Sequence, residues 1–205
     1  MWSRPSNMNH PGKLVIISGP SGSGKSTVVK RLLAESELPL VLSISATTRP
    51  PRVGEENGRE YIFLTDDEFQ ARRRSGEFLE CKEVFGRGYW YGTLRNAVST
   101  GLDQGKWVLL EIDVQGALAV LQDYPQAITI FVHPGSVAEL EKRLRNRGTE
   151  SQESIQRRLD VAAEELALRH HYTHEVINEE IQPTVQQLCK LLVQYQGEKI
   201  PCSKN

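Results

Sequence analysis

The chain has 205 residues and a formal net charge of −1, and 39% of its residues are hydrophobic. This composition supports one domain with a real core and excludes a disordered chain, and the near-neutral charge argues against nucleic acid or a membrane as a partner. The three cysteines, Cys81, Cys189 and Cys202, form neither a metal-binding spacing nor a disulfide framework. Because there is no signal peptide or apolar run of membrane length, the expected location is cytoplasmic.

In chain order, apolar strands alternate with amphipathic helices between a loose leader, residues 1–12, and a tail, residues 196–205. The predicted strands are 13–18, 40–48, 61–65, 77–85, 107–113, 127–132 and 175–178. The predicted helices are 25–34, 66–75, 94–102, 115–122, 137–147, 153–170 and 184–195. This alternation predicts an α/β fold in which helices cover both faces of a parallel sheet.

The stretch 43–93 interrupts this pattern, because its strands are half-polar and close together. We expect it to form a small mixed or antiparallel subdomain inserted into the α/β core. The predicted domain, 13–195, then has a core of 13–42, 94–135 and 171–195, the insertion at 43–93, and a pair of arginine-bearing helices at 136–170.

The sequence GPSGSGKST lies between the first predicted strand and the first predicted helix. It matches G-x-x-x-x-G-K-[ST], a P-loop whose glycines let backbone N–H groups converge on nucleotide phosphates. Lys25 is expected to reach the β- and γ-phosphates, and the Ser26 hydroxyl to ligate Mg²⁺. The predicted nucleotide-binding residues here are Gly19, Pro20, Ser21, Gly22, Ser23, Gly24, Lys25, Ser26 and Thr27. The loop alone leaves ATPases, GTPases and kinases of many acceptors open.

The sequence TTRPPR predicts a second phosphate site, because Arg49 and Arg52 flank two prolines on a loop that follows a strand. Prolines stiffen the backbone, and two preset arginines suit a phosphate monoester dianion. The alternative is a solvated turn that carries ordinary surface arginines.

The same interrupted region supplies hydroxyls and one carboxylate, from Tyr61, Glu80, Tyr91 and Thr93. Glu80 lies on an otherwise apolar stretch, so a buried Glu80 should be paired or ligand-bound. A carboxylate accepts well from the N1–H and N2–H₂ edge of guanine, and adenine lacks that pair of donors. Each of these residues taken singly is more often ordinary strand surface.

Four arginines lie on two consecutive predicted helices. Arg143 and Arg147 share a helix face, and a glycine break separates them from a helix that carries Arg157 and Arg158. This arrangement resembles a hinged lid, whose arginines would stabilise charge and exclude water during phosphoryl transfer; a solvated basic face is the alternative.

Glu111 and Asp113 end the strand WVLLEID and, two residues apart, are expected to point to the same side. The carboxyl end of a central parallel strand faces the ligand crevice. One acid is expected to order Mg²⁺ through water and the other to face the acceptor.

Several blocks resemble one family, the bacterial-type guanylate kinases, which phosphorylate GMP to GDP with ATP. The resemblance covers about residues 14–192 and rests on SGPSGSGKST, SATTRPPRVGEENGREYIF, GEFLE, YGT, EIDVQGA and RLRNRGTES. It implies that 43–93 is the GMP-binding subdomain and 136–170 the lid. The GMP-contacting residues it implies are Ser45, Arg49, Arg52, Tyr61, Glu80, Tyr91, Thr93, Glu111 and Asp113. It places Arg143 near the adenine and phosphates of ATP, Arg147 and Arg158 on the transferring group, and Asn178 near the nucleotide.

The resulting prediction is a kinase that transfers the γ-phosphoryl group of Mg·ATP to GMP. The acceptor oxygen is already a nucleophile, so catalysis is expected to consist of positioning and charge neutralisation by Mg²⁺ and by protein cations. The predicted catalytic residues are Lys25, Arg49, Arg143, Arg147 and Arg158. An inactive guanylate-kinase-like binding module and a kinase of another nucleotide are the alternatives, and the sequence leaves the oligomeric state open.

Overall fold

Two β-sheets, one parallel and one mixed, organise the chain. The computed structural model describes residues 12–84, 88–146 and 152–197. Its strands are β1 (Lys13–Ser18), β2 (Leu40–Leu42), β3 (Ala46–Thr47), β4 (Ile62–Phe63), β5 (Phe78–Val84), β6 (Tyr89–Leu94), β7 (Trp107–Glu111), β8 (Ile128–His133) and β9 (His174–Ile177). Its helices are α1 (Lys25–Glu35), α2 (Asp66–Arg74), α3 (Arg95–Asp103), α4 (Val114–Asp123), α5 (Val137–Asn146), α6 (Gln152–Ala167) and α7 (Ile181–Gln194).

The parallel sheet has the order β2-β7-β1-β8-β9, so that β1 lies at its centre. All six residues of β1 are buried, as expected for a strand with helices on both faces. Val15 and Ile17 belong to a core with residues of α1 and α7. Leu14 and Ile16 belong to a second core with residues of α3 and α4. The α/β fold predicted from the alternating elements is confirmed.

The mixed sheet has the order β4-β3-β6-β5, with β3 parallel to β4 and antiparallel to β6. Helix α2 contributes Phe69 to the core of this sheet, and its ring stacks on that of Phe78 with 4.4 Å between the centroids. Thr65 forms a capping box with Glu68 at the start of α2. The sheet fits the mixed insertion that was expected, while the exact domain boundaries remain a prediction.

The structure corrects two local predictions in this region. The predicted strand 40–48 is two short strands, because β2 pairs with β7 in the parallel sheet and β3 pairs with β4 and β6 in the mixed sheet. The predicted loop 86–93 contains most of β6, which pairs with β3 and β5. Alternation along one segment indicates an extended backbone, but it does not identify which sheet supplies the partner strand.

Two helices near the carboxyl terminus also differ from their predicted bounds. The predicted helix 153–170 ends as α6 at Ala167, and a 3₁₀ turn follows at Arg169–His171. The predicted helix 184–195 begins earlier, at Ile181, with Pro183 in its first turn. A proline is tolerated there because backbone N–H groups in the first turn have no intrahelical partner.

Helices α5 and α6 pack against each other through their own small core, made of Leu140, Leu144, Ile155, Leu159 and Ala162. Leu140 and Leu144 also lie beside the glycine loop, because a Cβ at Gly22 would come within 3.1 Å of both side chains. This helix pair therefore forms one wall above the loop. Within the described ranges, the helices are all too short or too polar to span a membrane.

Candidate active site

The glycine loop connects the end of β1 to the start of α1. Gly19, Gly22 and Gly24 have φ values of 136°, 95° and 87°, which side chains rarely adopt. A Cβ at Gly19 would also collide with the carbonyl oxygen of Val132. No side chain among the described residues caps α1, so the N–H groups of its first turn are available to an anion.

Asn178 holds the loop from behind. Its Nδ2 donates to the Ser23 carbonyl oxygen at 2.7 Å, and its Oδ1 accepts from the Thr184 hydroxyl at 3.1 Å. The residue is only 1% exposed, and a Cβ at Gly24 would come within 2.6 Å of Nδ2. Asn178 thus fixes the shape of the loop in this structure, while its predicted contact with the nucleotide stays a prediction.

Lys25 and Ser26, at the start of α1, face the end of β7. Lys25 Nζ donates to the carbonyl oxygens of Gly19 and Pro20 at 2.6 and 2.9 Å. Burial lowers the pKa of Lys25, and the nearby carboxylates Glu165, Glu111 and Asp113 oppose that shift. The Ser26 hydroxyl donates to Glu111 Oε1 at 2.5 Å. Thr27 is exposed in the same helical turn.

Glu111 and Asp113 both border one cavity, as does Ile112 between them, and the two acids have different partners. Strand β7 ends at Glu111, and Asp113 is the N-cap residue of α4, accepting from the Gly116 N–H at 2.7 Å. The other oxygen of Asp113 pairs with Lys82 Nζ at 2.8 Å. Glu111 is therefore placed beside the glycine loop and Asp113 beside the mixed sheet.

Glu80 and Thr93 meet across β5 and β6, where the Thr93 hydroxyl donates to Glu80 Oε1 at 2.6 Å. A Cβ at Gly116 would lie 3.0 Å from the other carboxylate oxygen, so that position has room only for glycine without displacing Glu80. Burial raises the pKa of Glu80, and the Thr93 hydrogen bond opposes this shift. The expectation that a buried Glu80 is paired agrees with this contact.

Arg49 is 9% exposed and is held in a fixed orientation. Its guanidinium donates to both carboxylate oxygens of Glu55, at 2.9 and 3.0 Å, and to the Tyr91 hydroxyl at 3.2 Å. It also lies over the ring of Tyr61, 5.4 Å from the centroid. Hydrogen bonding to Glu55 raises the pKa of Arg49 further. Arg52 has an exposed side chain, and its backbone N–H donates to Glu55.

The arginines of α5 and α6 approach the glycine loop from above. Arg158 donates to the Ser21 hydroxyl at 2.8 Å, which places it directly over the loop. Arg143 pairs with Glu139 at 3.0 Å and donates to the carbonyl oxygen of Glu179 at 3.2 Å. Arg147 lies outside the described residues. Ser45 is half-buried, and its carbonyl oxygen accepts from the N–H of Ile62.

A cavity of about 450 Å³ connects the loop, the end of β7, the mixed sheet and α6. Its lining residues are Gly19, Ser21, Lys25, Lys82, Glu111, Ile112, Asp113, Arg158, Val161 and Glu165.

Sequence reasoning missed four residues of this site and its surroundings. Glu55 lies three residues after Arg52, and Gly116 three after Asp113, so local spacing contained a signal for both. Glu165 lies seven residues after Arg158, on the same face of α6. Lys82 had no comparable signal, because its partner Asp113 is 31 residues away.

Comparison with known proteins gives one consistent result. Residues 11–195 match the family model described as guanylate kinase. The guanylate kinase of Rhodopirellula baltica is 57% identical over 197 residues, 96% of this chain and 94% of the relative. That of Porphyromonas gingivalis is 45% identical, over 89% of this chain and 97% of the relative. The crystal structure of guanylate kinase from Anaplasma phagocytophilum superimposes with a TM-score of 0.73 at 32% identity, covering 92% of this chain and 88% of that one.

Proposed function

Because this chain belongs to the guanylate kinase family, it is an ATP:GMP phosphotransferase, and we propose that its cavity holds both nucleotides during transfer of the γ-phosphoryl group. One observation carries this assignment of the site. A single cavity brings Lys25 together with Glu111, Asp113 and Arg158, although these residues come from three separate segments. Cations and hard oxygen ligands around one space are what phosphoryl transfer requires, since its catalysis is positioning and charge stabilisation.

The triphosphate of ATP is proposed to lie against the glycine loop. The free N–H groups at the start of α1 and the positive end of that helix favour phosphate there. Lys25 now donates to two loop carbonyls, so its Nζ is already positioned at the mouth of the loop. When ATP binds, Lys25 would exchange these two hydrogen bonds for bonds to phosphate oxygens, which are better acceptors because they are charged.

Mg²⁺ is proposed to lie beside Ser26 and Glu111. The contact between the Ser26 hydroxyl and the Glu111 carboxylate supports this, because hydroxyl and carboxylate oxygens are the hard ligands that Mg²⁺ prefers. When bound, Mg²⁺ would neutralise charge on the β- and γ-phosphates. Glu111 was assigned to GMP in the sequence prediction, and its contact with Ser26 favours a place on the ATP side.

The phosphate of GMP is proposed to bind beside Arg49, Arg52, Tyr61 and Tyr91. Arg49 supports this because Glu55 and Tyr91 hold its guanidinium before any ligand arrives, which lowers the entropic cost of binding. The exposed side chain of Arg52 can close on the same phosphate. Tyr61 and Tyr91, whose rings meet edge to face at 5.7 Å, would supply hydroxyl donors.

The guanine base is proposed to bind at Glu80, with Ser45 and Thr93 beside it. One oxygen of Glu80 is engaged by Thr93, and the other faces Gly116. That second oxygen can accept from the N1–H and N2–H₂ edge of guanine. Asp113, joined to Lys82 at the boundary of the mixed sheet, would lie near the acceptor.

The helices α5 and α6 are proposed to act as the lid over the transferring group. Arg158 supports this role, because it already contacts Ser21 of the glycine loop. Arg143 would act on the ATP side, near the loop that follows β9. The roles of Arg147 and the extent of any closure remain predictions, as does the cytoplasmic location.

The function is tested by offering four acceptors in parallel. With Mg·ATP, we expect ADP to form fastest with GMP, and far more slowly with AMP, dTMP or CMP, because only guanine presents two adjacent donors to Glu80. Coupled measurement of ADP release gives the rates. No turnover with GMP would contradict the phosphotransferase assignment, whereas a preference for AMP or dTMP would contradict only the base recognition.

Replacing Glu80 with glutamine tests the base-recognition argument by itself. The variant keeps the size and one acceptor oxygen but replaces the other with an amide that repels the guanine donors. We expect kcat/KM for GMP to fall about 10- to 100-fold, the range for losing a hydrogen bond to a charged group, with KM for ATP unchanged. Glu83→Gln, an exposed position on the same strand, is the control. An unchanged GMP dependence in Glu80→Gln would show that guanine is read elsewhere.

A further inference from the structure

The cavity-facing side of α6 carries a carboxylate that the roles above do not use. Arg158, Val161 and Glu165 are spaced three and four residues apart and all line the cavity. The adjoining side of α6 packs on α5 through Ile155 and Leu159. The orientation of the helix is therefore fixed by its apolar contacts, and Glu165 is directed at the place proposed for phosphates.

Glu165 is half-buried, and one of its carboxylate oxygens is buried without a compensating hydrogen bond. Its Oε2 has no partner among the described residues. Burial raises the pKa of Glu165 to about 7, because a desolvated carboxylate is unfavourable. A carboxylate oxygen without a hydrogen-bond partner among the described residues, in the wall of an anion-binding cavity, is a feature that packing alone does not explain.

The charges around Glu165 come from every side of the cavity. Lys25, from the glycine loop, is the main group that favours the charged form of Glu165, and Lys82 on β5 adds to it. Asp113 at the start of α4 and Glu164 on the same helix disfavour that form. The Tyr172 hydroxyl lies near Glu165 and, with its pKa raised to about 12, stays neutral.

The balance between Lys25 and Glu165 changes when phosphates enter. In the empty cavity the Glu165 carboxylate helps keep Lys25 charged against the effect of burial. Phosphates bring several negative charges to the Nζ of Lys25, where they take over this role. They also place like charge next to Glu165, which disfavours its ionised form.

We propose that Glu165 is a positioning residue that takes up a proton when nucleotide phosphates fill the cavity, so that α6 covers the loaded site with a neutral acid. The proton comes from solvent and is returned when the products leave. In the neutral form the carboxyl group can donate a hydrogen bond to a phosphate oxygen instead of repelling it. This inference rests on the proposed placement of ATP at the glycine loop.

The sign of the pH dependence follows from this exchange. Below about pH 6 Glu165 is already protonated in the empty protein, so binding takes up no proton there. Above about pH 7 the ligand-free protein carries mostly charged Glu165, so phosphates that raise the pKa of Glu165 make binding take up a proton. Nucleotide affinity should accordingly fall as the pH rises through this range.

The experiment is titration calorimetry of a non-hydrolysable ATP analogue with Mg²⁺ at pH 7.5, in two buffers with different ionisation enthalpies. We expect the wild-type protein to take up about half a proton more per site than E165Q. E164Q removes the carboxylate with the smallest influence among the charges around Glu165, so it is expected to keep most of this uptake. Circular dichroism and thermal melting establish that each variant is folded, and E165M replaces E165Q if the latter is not.

Equal proton uptake by the wild type and E165Q would overturn the inference, and so would a loss of uptake that E164Q shares. A second readout is the pH dependence of kcat/KM for ATP, which should be flatter between pH 6.5 and pH 8.5 in E165Q than in the wild type. The proposed function is tested separately, by GMP phosphorylation with the wild type. Uptake without phosphorylation would contradict the function alone, and phosphorylation without a Glu165-dependent uptake would contradict this inference alone.

Discussion

Lys25→Ala is expected to lower kcat for GMP phosphorylation by about 10²- to 10³-fold, the usual effect of removing one preorganised donor from a site of developing charge. The structure explains why the loss should fall on kcat. Lys25 Nζ lies at the mouth of the loop, bonded to Gly19 and Pro20, and partly buried away from water. A buried cation interacts more strongly with charge that develops during transfer than a solvated one does.

The measurement is steady-state kinetics with ATP and GMP both varied. Lys30→Ala, on the exposed side of the same helix, is the matched control and should leave kcat unchanged. Thermal melting separates loss of activity from loss of fold. If Lys25→Ala retained wild-type kcat, the assignment of the cavity as the site of phosphoryl transfer would fail.

Arg49→Ala is expected to lower kcat/KM for GMP by about 10²-fold or more, as truncation of one partner in a buried, hydrogen-bonded charge pair does. Arg49 is held by two bonds to Glu55 and one to Tyr91, so its charge is fixed where the acceptor phosphate is proposed to bind. Its removal also leaves Glu55 without its main partner, which places a free negative charge beside that phosphate.

The effect should be specific to the acceptor. KM for ATP is expected to stay unchanged, because Arg49 lies on the loop after β3 and is not among the residues that line the cavity at the glycine loop. Arg59→Ala, in the same insertion and paired with Glu56 and Glu60 on the surface, is the control. An Arg49→Ala variant whose ATP and GMP parameters fell equally would show that Arg49 acts through the fold of the insertion and not through the acceptor.

The parallel core was predictable because its strands are buried on both faces. A strand such as β1 must be apolar at every position, and the following glycine loop and helix have fixed spacing, so local sequence identifies all three. The mixed sheet was harder to predict from the sequence. β3 and β4 are only two residues long, and their pairing depends on partners 16 to 46 residues away, which local alternation does not encode.

In the site, too, some features were predictable from neighbouring residues and others depended on the tertiary structure. The glycine loop was identified from spacing alone, because the residues that shape a loop binding phosphate through its own backbone are neighbours in the sequence. The partner of Arg49 was missed, since surface acids near an arginine are common and only the fold shows which one is bidentate. The inward orientation of Glu165 is likewise invisible in sequence, where it is one of two adjacent glutamates on a charged helix.

The sequence by itself determined the fold class, the glycine loop and the resemblance to guanylate kinases, because these rest on periodicity and on motifs of fixed length. Only the tertiary structure decided how the residues are grouped: Ser26 with Glu111, Arg49 with Glu55 and Tyr91, and Glu165 across the cavity from Lys25. The physical reason is that hydrogen bonds and charge interactions depend on distance in space. The packing of the sheets and helices sets that distance for residues far apart in the chain.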